Sequence, residues 1–139
     1  MAGSGEAIVR RAFEVMNRSE SADAVMAELE ELMDPEIEWV NPVDAIESGT
    51  RRGLAGIRTA LENFYAGAGG GATWELQEVQ ERGGRVFTRA SLHVKGASSG
   101  VEAVGPPIGA VSTIREGRLI RMEWHFNPDE AFAEFERGG

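Results

Sequence analysis

Three side chains that could move a proton or anchor a charged ligand stand two residues apart. Arg89, Ser91 and His93 alternate in an extended-looking segment, and alternate residues of a strand share one face. An imidazole titrates near neutrality, so His93 reads either as a general acid or base or as a partly solvated, hydrogen-bonded histidine near a strand end. Arg89 reads either as an anchor for a carboxylate or enolate or as half of an ion pair, with Glu102 or another nearby acid. In an apolar setting it needs one or the other, because an unpaired buried guanidinium is costly. Asp44 and Glu47 supply carboxylates on a polar loop, either as solvated charges or as the rim of a site. His125 is the only other histidine and there is no cysteine, so the chain lacks a thiolate nucleophile, a disulfide and a cysteine-based metal site. No metal and no cofactor are expected.

The elements that must position these residues follow from hydrophobic spacing. Residues 1–5 read as a disordered tail and 6–139 as a single domain. Ile8, Val9, Ala12, Phe13 and Met16 form a helical stripe. A second helix starts near Ser21 and buries Val25, Met26, Leu29, Leu32 and Met33, with Asp34-Pro35 as its stop. Ile37 to Asn41 is a short strand closed by Pro42, and a polar loop runs on through Arg52. Leu54, Ile57, Leu61 and Phe64 mark a third helix, ended by the glycine-rich stretch 67–71. Long strands follow, joined by turns at Arg82-Gly83-Gly84, Ser98-Ser99-Gly100 and Glu116-Gly117. Asn127-Pro128-Asp129-Glu130 opens a last helix, with asparagine as cap, proline in the first turn and acids at the positive dipole end. Phe132 and Phe135 are its apolar face.

Helices followed by a meander of strands predict an α+β domain, a cone-shaped curved antiparallel sheet with helices packed on its concave face. A chain of 139 residues buries roughly two thirds of its unfolded surface, enough for one core. The net charge of −9, with dense basic spots only at Arg10-Arg11 and Arg51-Arg52, disfavours nucleic acid and anionic membrane as partners. No run approaches the ~18 apolar residues of a membrane span, and the N-terminus lacks a signal-peptide pattern, so a cytoplasmic location is expected. Lys95 is the only lysine, a bias that points to a GC-rich bacterial genome.

Four features in this order resemble the SnoaL-like branch of the nuclear-transport-factor-2-like superfamily. They are Trp39-Val40-Asn41-Pro42, the Arg52-Gly53…Gly56-Ile57 helix opening, Ser99-Gly100-Val101-Glu102, and the stretch from Glu116-Gly117-Arg118-Leu119 to Asn127-Pro128-Asp129-Glu130-Ala131. The resemblance spans residues 6–136 and implies a small-molecule pocket inside the cone. It implies an inward set of Trp39 and Asn41, then Phe87, Arg89, Ser91 and His93, then Gly109, Val111 and Thr113, then Ile120, Met122, Trp124 and Phe126. Tyr65 is a further candidate for the ligand site. Arg121, Glu123 and His125 would face outward, and a homodimer through that face is expected.

The carboxylates that do chemistry in such folds are missing here. Ketosteroid isomerases use an aspartate base before the first-strand proline and a tyrosine with a protonated aspartate as oxyanion hole, where this chain has Asn41, Phe13 and Gly109. Epoxide hydrolases of this fold need two aspartates and a tyrosine where Ser91, Trp124 and Trp39 stand, although Arg89 and Asn41 match. The related polyketide cyclases also place an aspartate at about Trp124. What remains is a small-molecule-binding protein, read in two ways. In the first it is an isomerase, cyclase or hydrolase working by proton transfer without a cofactor, with His93 as base and Arg89 as anchor. In the second it is a non-catalytic ligand-binding or interaction module.

Overall fold

The computed structural model describes residues 4–18, 22–42, 49–68, 72–95 and 102–137. Helix α1, Ser4–Arg18, takes in Ser4 and Gly5 from the segment read as a tail. Its start is held from outside: the amides of Gly5 and Glu6 donate to the Glu81 carboxylate at 3.3 and 2.9 Å, an acid at the positive end of the helix dipole. Helix α2, Ala22–Leu29, buries Val25, Met26 and Leu29. The chain then turns over Glu30–Leu32 and is already extended at Met33, earlier than the Asp34-Pro35 stop that helical spacing suggests. Strand β1, Met33–Asn41, tolerates Pro35 because its pairing is irregular between Met33 and Glu38, where no ladder N–H is needed.

The loop expected through Arg52 contains a short strand, β2, Gly49–Arg52, antiparallel to β1. Helix α3 is Gly53–Ala68, followed by β3, Ala72–Arg82, and β4, Arg85–Lys95. Between these two strands Gly83 and Gly84 have φ of 56° and 81°, both positive, as a two-residue hairpin turn of matching twist requires. Strand β5, Glu102–Val104, pairs with β4; β6, Ile108–Arg115, and β7, Arg118–His125, close the sheet before α4, Pro128–Arg137. Asn127 caps α4 as its sequence predicts, its side-chain oxygen accepting the Asp129 N–H at 2.8 Å.

The strand order is β2-β1-β7-β6-β4-β3, with β5 beside β4. The fold is α+β with an open curved sheet, as expected. The sheet is mixed rather than wholly antiparallel, because β1 lies parallel to β7. The first three helices cover the concave face and form the main core with Ile37, Trp39, Val86, Ala110, Met122 and Trp124. The fourth helix covers the other face instead, seating Ala131 and Phe135 on Phe87 and Val111. Gly109 permits that approach: a Cβ there would stand 2.5 Å from Ala131 Cβ and 2.9 Å from Pro128 Cα. Among the described residues no helix is long and apolar enough to cross a membrane.

Candidate functional site

Register decides which side chains share the concave face. One row runs Val79, Thr88, Ala110, Trp124 across β3, β4, β6 and β7. The next runs Val86, Ser112, Met122, Trp39 across β4, β6, β7 and β1. Trp124 is the centre of an aromatic cluster: its ring centroid lies 5.3 Å from Trp39, 5.4 Å from Trp74 in a stacked pair, and 6.0 Å from Phe13 on α1. The Trp39 indole N–H donates to Asn41 Oδ1 at 3.0 Å, so the amide is held at the strand's end beside the rings. A cavity of about 370 Å³ lies at the C-terminal ends of β1 and β7 beside the start of α4. Asn41 and Trp124 reach it, but so do the outward-facing Val40, Glu123 and His125 and Glu130 of α4, so it lies at the sheet's edge toward the outer face.

Of the residues expected at the site, Trp39, Asn41, Met122 and Trp124 are brought together on or beside the concave face. Phe126 lines the cavity and is 56% exposed, a rim residue and not a buried wall. Phe87, Arg89, Ser91 and His93 are corrected: they lie on the opposite face, one residue out of phase with the concave row Val86, Thr88, Ala90. Gly109, Val111 and Thr113 go with them, since Gly109 pairs with Arg89 and Val111 with Phe87. In β7 an irregular register puts Leu119, fully buried, where Ile120 was expected. Tyr65 is in α3, but its side chain lies outside the described residues, as do Asp44 and Glu47 altogether.

On the outer face Arg89, Ser91, His93, Arg121 and His125 each have a protein partner. Phe87 packs under α4 against Phe132 and Phe135 at 5.1 and 6.0 Å. Arg89 faces two acids, Glu78 at 3.5 Å and Asp129 at 3.6 Å, which is the ion-pair alternative with partners other than Glu102. Ser91 accepts from Gln77 at 3.0 Å, and His93 Nε2 meets Glu75 at 2.8 Å. His125 does face outward, 2.6 Å from Glu123, which also takes Arg121 at 3.1 Å. No three His, Asp or Glu side chains gather to hold a metal among the described residues.

Sequence reasoning missed Thr88 and Ser112 on the concave face. They are 1% and 0% exposed, and with Trp124 they carry the buried side-chain polar atoms, Oγ1, Oγ and Nε1, that have no hydrogen-bond partner among the described residues. Their signal was available, since Val86, Thr88, Ala90 and Leu92 alternate as cleanly as the polar set. No ionisable side chain is buried among the described residues.

An open curved sheet with helices on its concave face is the architecture of the nuclear-transport-factor-2-like class. The model of the SnoaL-like domain family matches residues 9–122, and the chain belongs to that family. No curated protein sequence matches it. Solved structures agree in fold. TerC, co-crystallised with polyporic acid, is 25% identical with a TM-score of 0.70 over 94% of this chain and 97% of its own. Bal32a, from a soil-derived mobile gene cassette, is 22% identical with a TM-score of 0.73 over 94% and 95%. A protein of unknown function of this fold from Burkholderia pseudomallei is 21% identical with a TM-score of 0.69 over 95% and 97%.

Proposed function

We propose that this chain binds a compact, flat, partly apolar small molecule at the concave face, against Trp39, Trp74 and Trp124, and that it binds without turnover. The observation that carries this reading is the cluster of three indoles beside the Asn41 amide, on the concave side of the sheet. Aromatic walls with a few fixed polar groups are what small-ligand sites are made of. Proton transfer by His93 with Arg89 as anchor is disfavoured, because both sit behind the sheet in ion pairs with Glu75, Glu78 and Asp129. An isomerase, cyclase or hydrolase reading therefore rests on groups outside the described residues, Asp44 and Glu47 among them.

These three are all the tryptophans of the chain, so intrinsic fluorescence reports directly on the site. Polyporic acid, the compound crystallised with TerC, is the first ligand to titrate. Saturable quenching with a dissociation constant on the order of micromolar is expected. Absence of both quenching and thermal stabilisation across a panel of flat ring compounds would sink the reading. The same reading includes a homodimer through the outer strip that α4 leaves open, where Arg121, Glu123 and His125 lie beside exposed Phe126. Light scattering at high micromolar concentration should show twice the 15.0 kDa chain, and a monomer there would exclude it.

A further inference from the structure

We propose that the part of the outer face left open by α4 is a self-complementary charged interface, in which Arg115 and Arg118 of one copy of this chain meet Asp34 and Glu36 of a second copy. The inference rests on the homodimer through the outer strip and adds the charges by which one copy recognises the other.

Three observations carry it. First, elsewhere the chain pairs its arginines, Arg58 with Asp23, Arg85 with Glu134 and Arg121 with Glu38 and Glu123. Arg115 and Arg118 are exposed and have no acid within ion-pair distance among the described residues. They also stand directly opposite each other across the β6–β7 hairpin, a like-charge pair that weakens the hairpin on its own. Second, acids lie in the same groove without reaching them. The groove, of about 650 Å³, is lined on β1 by Asp34, Glu36 and Glu38 and on the hairpin by Arg115, Arg118 and Arg121. Glu38 is taken by Arg52 and Arg121, while Asp34 and Glu36 have no cation within ion-pair distance among the described residues. Third, the two signs lie on opposite flanks of β7, whose neighbours are β1 and β6. Met33 pairs with Leu119 and Glu38 with Arg121, so Asp34 and Glu36 are level with the start of β7, where Arg118 pairs with Arg115.

That placement selects the partner. A twofold axis running along β7, between two outer faces, turns β6 of one copy over β1 of the other at the same height. Each copy's unpaired arginines then face the other's unpaired acids, twice over, as an isologous contact requires. A purely acidic partner would instead meet Asp34, Glu36 and, in the hairpin turn, Glu116, and a purely basic one would meet three arginines. Arg121 belongs both to this groove and to the strip with Glu123 and His125, so the two form one continuous surface. Exposed ion pairs add little affinity, so these charges act by fixing register and excluding wrong partners.

Charge reversal tests this by sedimentation velocity on the full chain at high micromolar concentration. Arg115→Glu with Arg118→Glu, and separately Asp34→Arg with Glu36→Arg, place like charges across the interface. Each double variant should self-associate about a hundredfold more weakly and run as a monomer. Mixed one to one, the two variants should dimerise again, within about threefold of the unmodified chain, because opposite charges then face each other at both contacts. The mixture carries the same total charge as two unmodified chains, so recovery reports placement and not net charge. Circular dichroism checks that each variant is folded, and Glu36→Arg alone takes the place of the β1 double variant should that one unfold. Variants that stay dimeric overturn the charged interface while leaving the homodimer standing. Monomeric variants that fail to associate on mixing overturn it too. A monomeric unmodified chain removes the homodimer itself, and this inference with it.

Discussion

Thr88 offers the cleanest perturbation, because valine has nearly its shape and lacks only the hydroxyl. The Oγ1 atom is buried and has no protein partner, so in the unliganded chain it carries a desolvation cost that no hydrogen bond offsets. Removing an unsatisfied buried polar group recovers about 1–2 kcal/mol. Strand propensity does not intervene, since both residues are β-branched and favoured in sheets. Unfolding entropy near 2.1 cal/mol/K per residue makes about 0.3 kcal/mol/K for 139 residues, so the gain corresponds to a rise in Tm of about 3–7 °C. Differential scanning calorimetry of Thr88→Val without ligand reads it. Thr88→Ser is the counterpart: it keeps the hydroxyl, deletes a methyl and should cost about 0.5–1.5 kcal/mol, like other single-methyl deletions in a core. A fall in Tm for Thr88→Val would show that the hydroxyl is already bonded in the unliganded protein. The reasoning from an unpaired buried hydroxyl would then be wrong.

Three other substitutions probe the faces. Gly109→Ala should destabilise by about 1–3 kcal/mol, because the new methyl meets Ala131 Cβ and the Pro128 backbone, and adding Ala131→Gly should recover part of the loss in urea melts. Arg89→Met should change stability by no more than about 1 kcal/mol, since its two acids are partly or mostly exposed and 3.5–3.6 Å away. It should also leave tryptophan quenching by polyporic acid untouched, as expected of a residue behind the sheet. Glu134, hydrogen-bonded to Arg137 and near Arg85 and His125, is held below its ordinary value of 4.5. A depressed carboxylate stabilises the fold above that value and loses its contribution as pH falls below it, so Glu134→Gln should lessen the acid-side fall in urea midpoint below about pH 4.5.

The elements were legible where local chemistry is strong. Asn127-Pro128 fixes the start of α4, the paired glycines fix the β3–β4 turn, and Trp39, Met122 and Trp124 fall on the concave face as the family resemblance implied. Strand β4 was misplaced because both its faces are covered at one end. Phe87 is buried by α4 and Val86 by α1, so apolar character at Phe87 carries no information about which side is concave. The polar set Arg89, Ser91 and His93 then looks like pocket chemistry, when it is the partly solvated flank of a helix-covered face.

The missing information sits in β3, and it is visible there. Trp74 and Leu76 alternate with Glu75 and Gln77, but Glu78 follows Gln77 directly, and the next apolar residue is Val79. Two polar residues in succession break the period of two, and the pairing with β4 shifts register at that point, between Leu76 and Glu78. A bulge of this kind lets the strand stay apolar on the concave side from Trp74 through Val79, although its sequence changes phase. Counting back from the glycine turn, Val79 pairs with Thr88, and past the shift Leu76 pairs with Ala90 and Trp74 with Leu92. Every apolar residue of β3 therefore pairs with an even-numbered residue of β4. The concave face of β4 is the small, quiet set of Val86, Thr88, Ala90 and Leu92, and the one hydroxyl in that set is left without a partner.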